Sequence, residues 1–373
     1  VFILVIITII SIVLNTYKKY INVCSNIYYM KIEEDIKLDF SDVLIRPKRS
    51  TLTSRSQVDL ERELTFPHST LTWKGVPIIA ANMDTIGTYE VYKVLSKYKI
   101  ITAFHKFYTL KQFEDMEGLD PNYFAISTGI SDYDFTKLKE IMDRNFGSRV
   151  KFICIDVANG YMEKLVTFCR KVREAFPDKI IIAGNVVTRE MTEELILNGK
   201  VDIVKVGIGP GSACLTRTQT GVGMPQLSAI AECADAAHGV NGYIIGDGGI
   251  TCPGDVSKGF GAGGDFIMIG GQFSGHDENP GDIVEENGVK YKSFYGMSSE
   301  TAMKKHYGKM DNYRSSEGRS IKVKYKGSLE DTVLNYLGGV RSTCTYINAA
   351  KIKNIPKCCT FVRVNNQLNT VFA

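Results

Sequence analysis

With 373 residues, 44% of them apolar and 23% charged, the chain can hold one large domain or two ordinary ones and has the composition of a globular protein. A net charge of +4 is too small at this size for a nucleic-acid scaffold, although it leaves room for local sites that take phosphate. The nine cysteines are an odd number without a C-x-x-C pair, so neither a zinc ribbon nor a redox pair is supported, and they read as reduced thiols of a cytoplasmic protein.

Residues 1–14 (VFILVIITIISIVL) are nearly all apolar but fall short of the ~20 residues that span a bilayer. No basic segment precedes them and no small-residue cleavage site follows. Residues 1–29 contain no Gly, Ala, Pro, Asp or Glu, and the first methionine is Met30, where the charged stretch MKIEEDIKLDF begins. The expectation is that residues 1–29 are translated upstream sequence and that the folded protein starts at Met30; a membrane anchor is the competing reading. Residues 30–75 form an N-terminal extension with a turn expected at Arg46–Pro47–Lys48.

From Pro77 onward, eight short apolar runs alternate with amphipathic stretches: VPIIAANM (76–83), KIITAFH (99–105), YFAISTG (123–129), VKFICIDVANG (150–160), KIIIAGNVV (179–187), VDIVKVGIGPG (201–211), GYIIGDGGI (242–250) and GDFIMIGGQ (264–272). Each is almost continuously apolar, as a strand covered on both faces must be, and each ends in Gly, small or polar residues. Between them, segments such as YMEKLVTFCRKVREAF (161–176) and TREMTEELILNG (188–199) repeat their apolar residues at helical spacing. Eight strand–helix units predict a closed (β/α)8 (TIM) barrel as a single domain over 30–373; a doubly wound open sheet is the alternative. The count of eight and the recurrence of Gly-rich strand ends favour the barrel, because a barrel gathers those ends on one face. The long interruption at 273–329 follows strand eight. It holds two hairpin-like pieces, VEENGVKYKSFYG and RSIKVKYKGS, around a helical run MSSETAMKKHYG, as expected of a lid or finger.

The sharpest chemical signal is GIGPGSACLTRTQTGVG (207–223), which follows the sixth strand. Its glycines and proline shape a backbone cradle and carry Cys214 to the mouth of the barrel, where Arg217 or backbone amides would favour the nucleophilic thiolate. A packing role suits Cys154, in mid-strand, and Cys169, on a helix; it suits Cys214 poorly, because a polar loop has no core to fill. The pairs DGGI (247–250) and GGQF (270–273) end strands seven and eight, the loops that in barrels often hold phosphate on backbone N–H groups. Beside them Asp247 suits ribose hydroxyls, or alternatively caps the next helix. These patterns reach a barrel enzyme with a phosphorylated ligand and a cysteine nucleophile, and stop there.

The same residues resemble the IMP dehydrogenase and GMP reductase family: the loop GIGPGSxCxTR, the stretch from DGGI to CPGD (247–255), the glycine pair after strand eight, and DFSDVLIRP at Asp39, a match running to Phe372. Within the family the chain has no room for the regulatory domain pair that dehydrogenases insert after the second strand. Instead of a water-activating Arg–Tyr dyad it reads FYGMSSETAMKK (294–305), YRSSEGRS (313–320) and LGGVRSTCTY (337–346), which look like the reductase branch, as do ANMDTIGT (81–88) and His105–Lys106. Leu215, where a small polar residue is common, is the departure nearest the chemistry.

The resemblance implies an NADPH-dependent oxidoreductase of purine salvage that converts GMP to IMP and ammonia through a thioimidate on Cys214. Thr216 and Glu317 would be its acid–base pair, although YRSSEGRS unaided reads as a solvated loop. GMP would contact Asp247, Gly248, Gly249, Gly270, Gly271, Gly296, Met297, Ser298, Arg314, Ser316, Glu317 and Gly318. NADPH would contact Ser54, Arg55, Lys106, Asp156, Val157, Ala158, Ile208, Gly209, Met297, Tyr313 and Arg314, with Ser342, Thr343, Cys344 and Thr345 reaching from a neighbouring subunit of a homotetramer. Potassium would sit on carbonyls of Gly209, Gly211, Cys214 and Arg217. No Gly-x-Gly-x-x-Gly fingerprint appears, so the cofactor is expected on the barrel mouth. Neither a nucleic acid nor a membrane is an expected partner. The competing functions are an IMP dehydrogenase and a nucleotide-binding scaffold without chemistry.

Overall fold

The structure is a computed structural model and describes residues 31–309 and 315–365. The expectation about residues 1–29 lies outside the described residues. The chain divides into two units, 1–36 and 37–373; in the first, residues 31–36 are irregular. Among the described residues no helix is long and apolar enough to cross a membrane.

The second unit is a closed, all-parallel, eight-stranded barrel. Its strands are β1 (Ile78–Ala80), β2 (Ile101–Phe104), β3 (Phe124–Thr128), β4 (Phe152–Asp156), β5 (Ile180–Val186), β6 (Ile203–Val206), β7 (Tyr243–Asp247) and β8 (Phe266–Ile269). They pair in sequence order, and β8 closes on β1. Every one of the eight apolar runs supplies a barrel strand. The crossover helices are α1 (Tyr89–Leu95), α2 (Leu110–Glu114), α3 (Asp132–Met142), α4 (Glu163–Ala175), α5 (Arg189–Leu197), α6 (Gln226–Gly239) and α7 (Pro253–Gly261). Strand alternation explains the continuous hydrophobicity. Val204 and Val206 of β6 pack outward in the layer under the helices, while Ile203 joins Phe152, Cys154, Ile180, Ile182, Ile245 and Met268 in a separate interior cluster.

The floor of the barrel is closed by a hairpin, Arg62–Thr65 with Thr72–Gly75. Buried Trp73 packs its ring 5.1 Å from that of Phe266 and donates its indole N–H to Asn122 O at 2.8 Å. The turn expected at Arg46–Pro47–Lys48 does not form. Val43–Ile45 pairs antiparallel with Phe361–Arg363, and the chain then stays extended, with Arg46 N and Lys48 N donating to Thr360 O and Tyr346 O.

After β8 come β9 (Val284–Glu286), β10 (Val289–Tyr295), α8 (Glu300–Tyr307) and β11 (Ser320–Lys324), then α9 (Leu329–Ile347). Strands β9, β10 and β11 form a separate antiparallel sheet. The first expected hairpin is present, turning at Asn287–Gly288, both with positive φ. The second piece is not a hairpin but one strand laid along β10. Its pattern alternates half-buried with exposed residues, as a sheet covered on one face does.

Candidate active site

A cavity of about 800 Å3 opens at the C-terminal ends of the barrel strands, within the range of small-molecule sites. Every strand contributes to its wall: Met83 follows β1, Lys106 β2, Ser131 β3, Asp156 ends β4, Asn185 lies in β5, Cys214 follows β6, Asp247 ends β7 and Gly270 follows β8. The insertion adds Phe294, Gly296, Met297, Ser298, Glu317 and Gly318 from above.

The Cys214 loop is held by its own backbone and by the insertion. Cys214 N donates to Gly211 O at 3.0 Å, Leu215 N to Glu317 O at 2.6 Å and Arg319 N to Ala213 O at 2.9 Å. The Arg319 guanidinium adds two bonds to Ser212 O, at 3.0 and 2.8 Å. These bonds carry a segment 101 residues distant onto the loop, and the side chains connect. The Cys214 thiol donates to Thr216 Oγ1 at 3.2 Å, and Thr216 Oγ1 donates to Glu317 Oε2 at 2.8 Å. The thiol, a hydroxyl and a carboxylate therefore form one continuous hydrogen-bonded chain, and Glu317 is not a solvated loop charge. The contrast with the other cysteines is physical. Cys154 and Cys169 are fully buried, and burial pushes both thiols up, Cys154 to about 12. Cys214 is half-buried on the cavity wall. Leu215 puts no side chain into this path; its backbone N–H is what the site uses.

Arg217 departs from the role considered for it. Its guanidinium donates to Asp39 Oδ2 at 3.3 Å and to Met224 O at 2.6 Å, so it ties the loop to the N-terminal extension. Its carbonyl accepts from Gly221 N, closing the short helix Thr216–Thr220.

Asp247 is not a helix cap, since Cys252 precedes α7. Its Oδ2 accepts from Asn185 Nδ2 at 2.9 Å and from Lys205 Nζ at 2.8 Å. Gly248 and Gly249 follow with φ of +89° and +81°, a left-handed pair that side-chain-bearing residues rarely adopt. Successive amides in such a turn form an anion-accepting hollow. Gly270 and Gly271, after the neighbouring strand β8, line the same cavity.

Of the remaining expected residues, Lys106, Asp156, Val157, Ala158, Ile208, Gly209 and Gly211 line the cavity. Ser316 is not among the lining residues, and its hydroxyl donates to Gly318 O at 2.7 Å. Ser54 and Arg55 do not line it, nor do Ser342, Thr343, Cys344 and Thr345. They lie together elsewhere: the single turn Arg55–Gln57 packs on α9, which carries the other four. Tyr313 and Arg314 fall outside the described residues. Among the described residues no group of three His, Cys, Asp or Glu side chains is arranged for a metal ion.

Two features went unread in the sequence. Lys205, buried in the middle of β6, bridges Asp247 and Asp156, at 2.6 Å from Asp156 Oδ1. The signal was available, as a lone charge inside an otherwise apolar strand, IVKV. The second is Asp84, between β1 and α1. Its buried Oδ2 accepts from Tyr295 at 2.8 Å, Lys305 at 2.9 Å and His306 at 2.6 Å, tying β10 and α8 to the barrel. Burial alone would raise the Asp84 carboxyl, but hydrogen bonds from Lys305, His306 and Tyr295 outweigh it and hold the group below its usual range.

The family model described as IMP dehydrogenase / GMP reductase domain matches residues 37–369. GMP reductase 2 of Homo sapiens is 56% identical over 345 residues, 92% of this chain and 98% of the human protein. A GMP reductase of Klebsiella pneumoniae is 58% identical over 347 residues, and GMP reductase 1 of Mus musculus 56% over 345, each covering 92% of this chain and 99% of the relative.

Proposed function

The chain belongs to the IMP dehydrogenase / GMP reductase family, and from that premise we propose that it reduces GMP to IMP with release of ammonia at the expense of NADPH. The observation that carries the reading is the Cys214–Thr216–Glu317 path, in which the carboxylate lies two hydrogen bonds from the sulfur. The thiol proton passes through the Thr216 hydroxyl to Glu317, and the thiolate adds to C2 of guanine. The same proton returns through Thr216 to the 2-amino group, which leaves as ammonia only once it is protonated. The product is a thioimidate on Cys214. NADPH supplies the hydride that turns this carbon into the C2–H of IMP, and the thiolate departs with its bonding electrons.

The residues on the cavity wall suit both ligands. Asp247 takes the nucleotide ribose and the Gly248–Gly249 and Gly270–Gly271 amides its phosphate, while Met297 and Ser298 cover the base. Lys106 and Asp156–Ala158 hold the cofactor. The Ser54–Arg55 and Ser342–Thr345 cluster on α9 serves the cofactor of an adjacent subunit in a homotetramer, which accounts for its distance from the cavity of its own chain. The insertion, latched at Asp84, acts as a lid that excludes water. Carbonyls of Gly209, Gly211, Cys214 and Arg217 offer only neutral oxygens, a donor set suited to a monovalent cation such as potassium. A cytoplasmic location fits the reduced thiols.

Cys214→Ala tests the reading: NADPH oxidation disappears while GMP binding, measured by calorimetry, stays within a few-fold of wild type. Turnover retained by that variant would overturn the covalent route. Production of xanthosine monophosphate from IMP and NAD+ by the wild-type protein would assign it to the dehydrogenase branch instead.

A further inference from the structure

We propose that Lys205 is a positioning residue that joins the nucleotide-binding and cofactor-binding carboxylates into one charged unit, so that each ligand is held in register with the other across the barrel mouth. The proposal rests on the reading that Asp247 takes the nucleotide ribose and Asp156 the cofactor.

The geometry is specific. Lys205 shares the inward face of β6 with Ile203 and is level with Gly184 on β5 and Ile245 on β7. Asp156 on β4 is level with the same Gly184. A Cβ at Gly184 would lie 2.3 Å from Lys205 O and 2.7 Å from Lys205 Cβ. The missing side chain on β5 therefore opens the space through which Lys205 reaches across a whole strand to Asp156, while the same ammonium meets Asp247 on the other side. Its side chain is 4% exposed. An ammonium so placed carries a desolvation cost that only close anions offset, and here two do.

What the arrangement does for the ligands follows from atom assignments. Both protein bonds to Asp247 fall on Oδ2, and the Lys205 contact with Asp156 falls on Oδ1. The other oxygen of Asp247 is left for a ligand hydroxyl, and only an ionised carboxylate is a pure acceptor. The charged groups facing Lys205 are Asp156 from β4 and Asp247 from β7, with the buried Cys154 thiol below on β4 and Lys106 beside Asp156. Burial opposes the charge on Lys205, but Asp156 and Asp247 raise its affinity for the proton well beyond the ordinary lysine range, so it stays cationic. Remove that charge and two partly exposed carboxylates on the cavity wall lose the cation between them, which favours uptake of a proton by the pair.

The test uses full-length protein and two probes bound separately: IMP, which carries the ribose phosphate without a leaving amine, and NADPH. Asp247→Asn weakens IMP alone and Asp156→Asn weakens NADPH alone. Lys205→Met weakens both at least tenfold, and the ratio of each Kd to wild type changes with pH as the pair of carboxyls, with no cation between them, takes up a proton from solvent. Lys205→Arg keeps the charge and holds both ligands within tenfold of wild type. Loss of a single ligand in either Lys205 variant overturns the proposal, as does a joint loss in Lys205→Met that is flat with pH, which a merely structural role would give. Should Lys205→Met not fold, Lys205→Arg decides alone on the same criterion. If Asp247→Asn leaves IMP affinity intact, the assignment of the ribose carboxylate falls and takes the proposal with it. If the two aspartate variants behave as expected and Lys205→Met spares one ligand, only the proposal falls.

Discussion

Replacing Thr216 by Val removes one hydroxyl and keeps the shape of the side chain. In the native site that hydroxyl stands 3.2 Å from Cys214 Sγ and 2.8 Å from Glu317 Oε2. Without it, no acceptor bridges sulfur and carboxylate, and a proton cannot cross the gap in one hydrogen-bonded step. General acid–base catalysis of this kind is worth roughly 100- to 10,000-fold, or about 3–5 kcal/mol of activation free energy. The variant should therefore lose at least about 100-fold in kcat with GMP while GMP affinity stays within a few-fold, because neither glycine pair proposed to hold the phosphate is touched. Thiolate attack and ammonia departure should both slow, since the proton that leaves the thiol is the one the amine needs. Glu317→Gln should lose a similar factor, and Thr216→Ser, which restores the hydroxyl, should recover most of it. Steady-state NADPH oxidation, followed with ammonia release, measures all three. A Thr216→Val enzyme within tenfold of wild-type kcat, or one whose whole defect lies in KM, would refute the proton path.

Other outcomes follow from the same structure. His276 is fully buried beside Thr332, and burial holds its imidazole down at about 4. Its folded value lies below the unfolded one, so stability is lost as pH falls from about 6.5 toward 4, by about 3 kcal/mol for this residue. Urea unfolding at pH 7 and at pH 4.5 should show a smaller difference in His276→Gln than in wild type; an identical difference would remove His276 as the cause. Asp84→Asn takes the charge from the group that holds Tyr295, Lys305 and His306. Hydrogen exchange should then quicken across residues 295–307 and kcat/KM should fall; unchanged exchange there would show that the insertion is anchored by other contacts. Gly248→Ala forces a side chain into φ of +89° with its Cβ 3.1 Å from Pro210, a strain of about 1–2 kcal/mol. It should raise the KM for GMP about tenfold with little change in melting temperature, and an unaltered KM would place the phosphate elsewhere.

The barrel was legible because each of its strands is covered on both faces, so apolar runs such as KIIIAGNVV carry no competing alternation. The hairpin that closes the floor was not, because Arg62–Thr65 and Thr72–Gly75 are only four residues each and expose polar residues between the few they bury. Its Trp73 is the residue that could have announced a buried strand. Cys214 stood out because a glycine-rich loop offers a cysteine no packing role. Glu317 did not, since a carboxylate in YRSSEGRS reads as solvated until the backbone bonds from Leu215 and Arg319 bring it to the loop; only the family resemblance reached it. Lys205 and Asp84 were missed for a related reason. Their meaning lies in partners on other strands and on the insertion, and no spacing along the chain records those partners.

The most direct test of the account is a product balance on wild-type protein given GMP and NADPH. It predicts one IMP and one ammonia for each NADPH oxidised, with no oxidation when GMP is withheld. NADPH oxidation without matching ammonia, or no conversion of GMP at all, would contradict it.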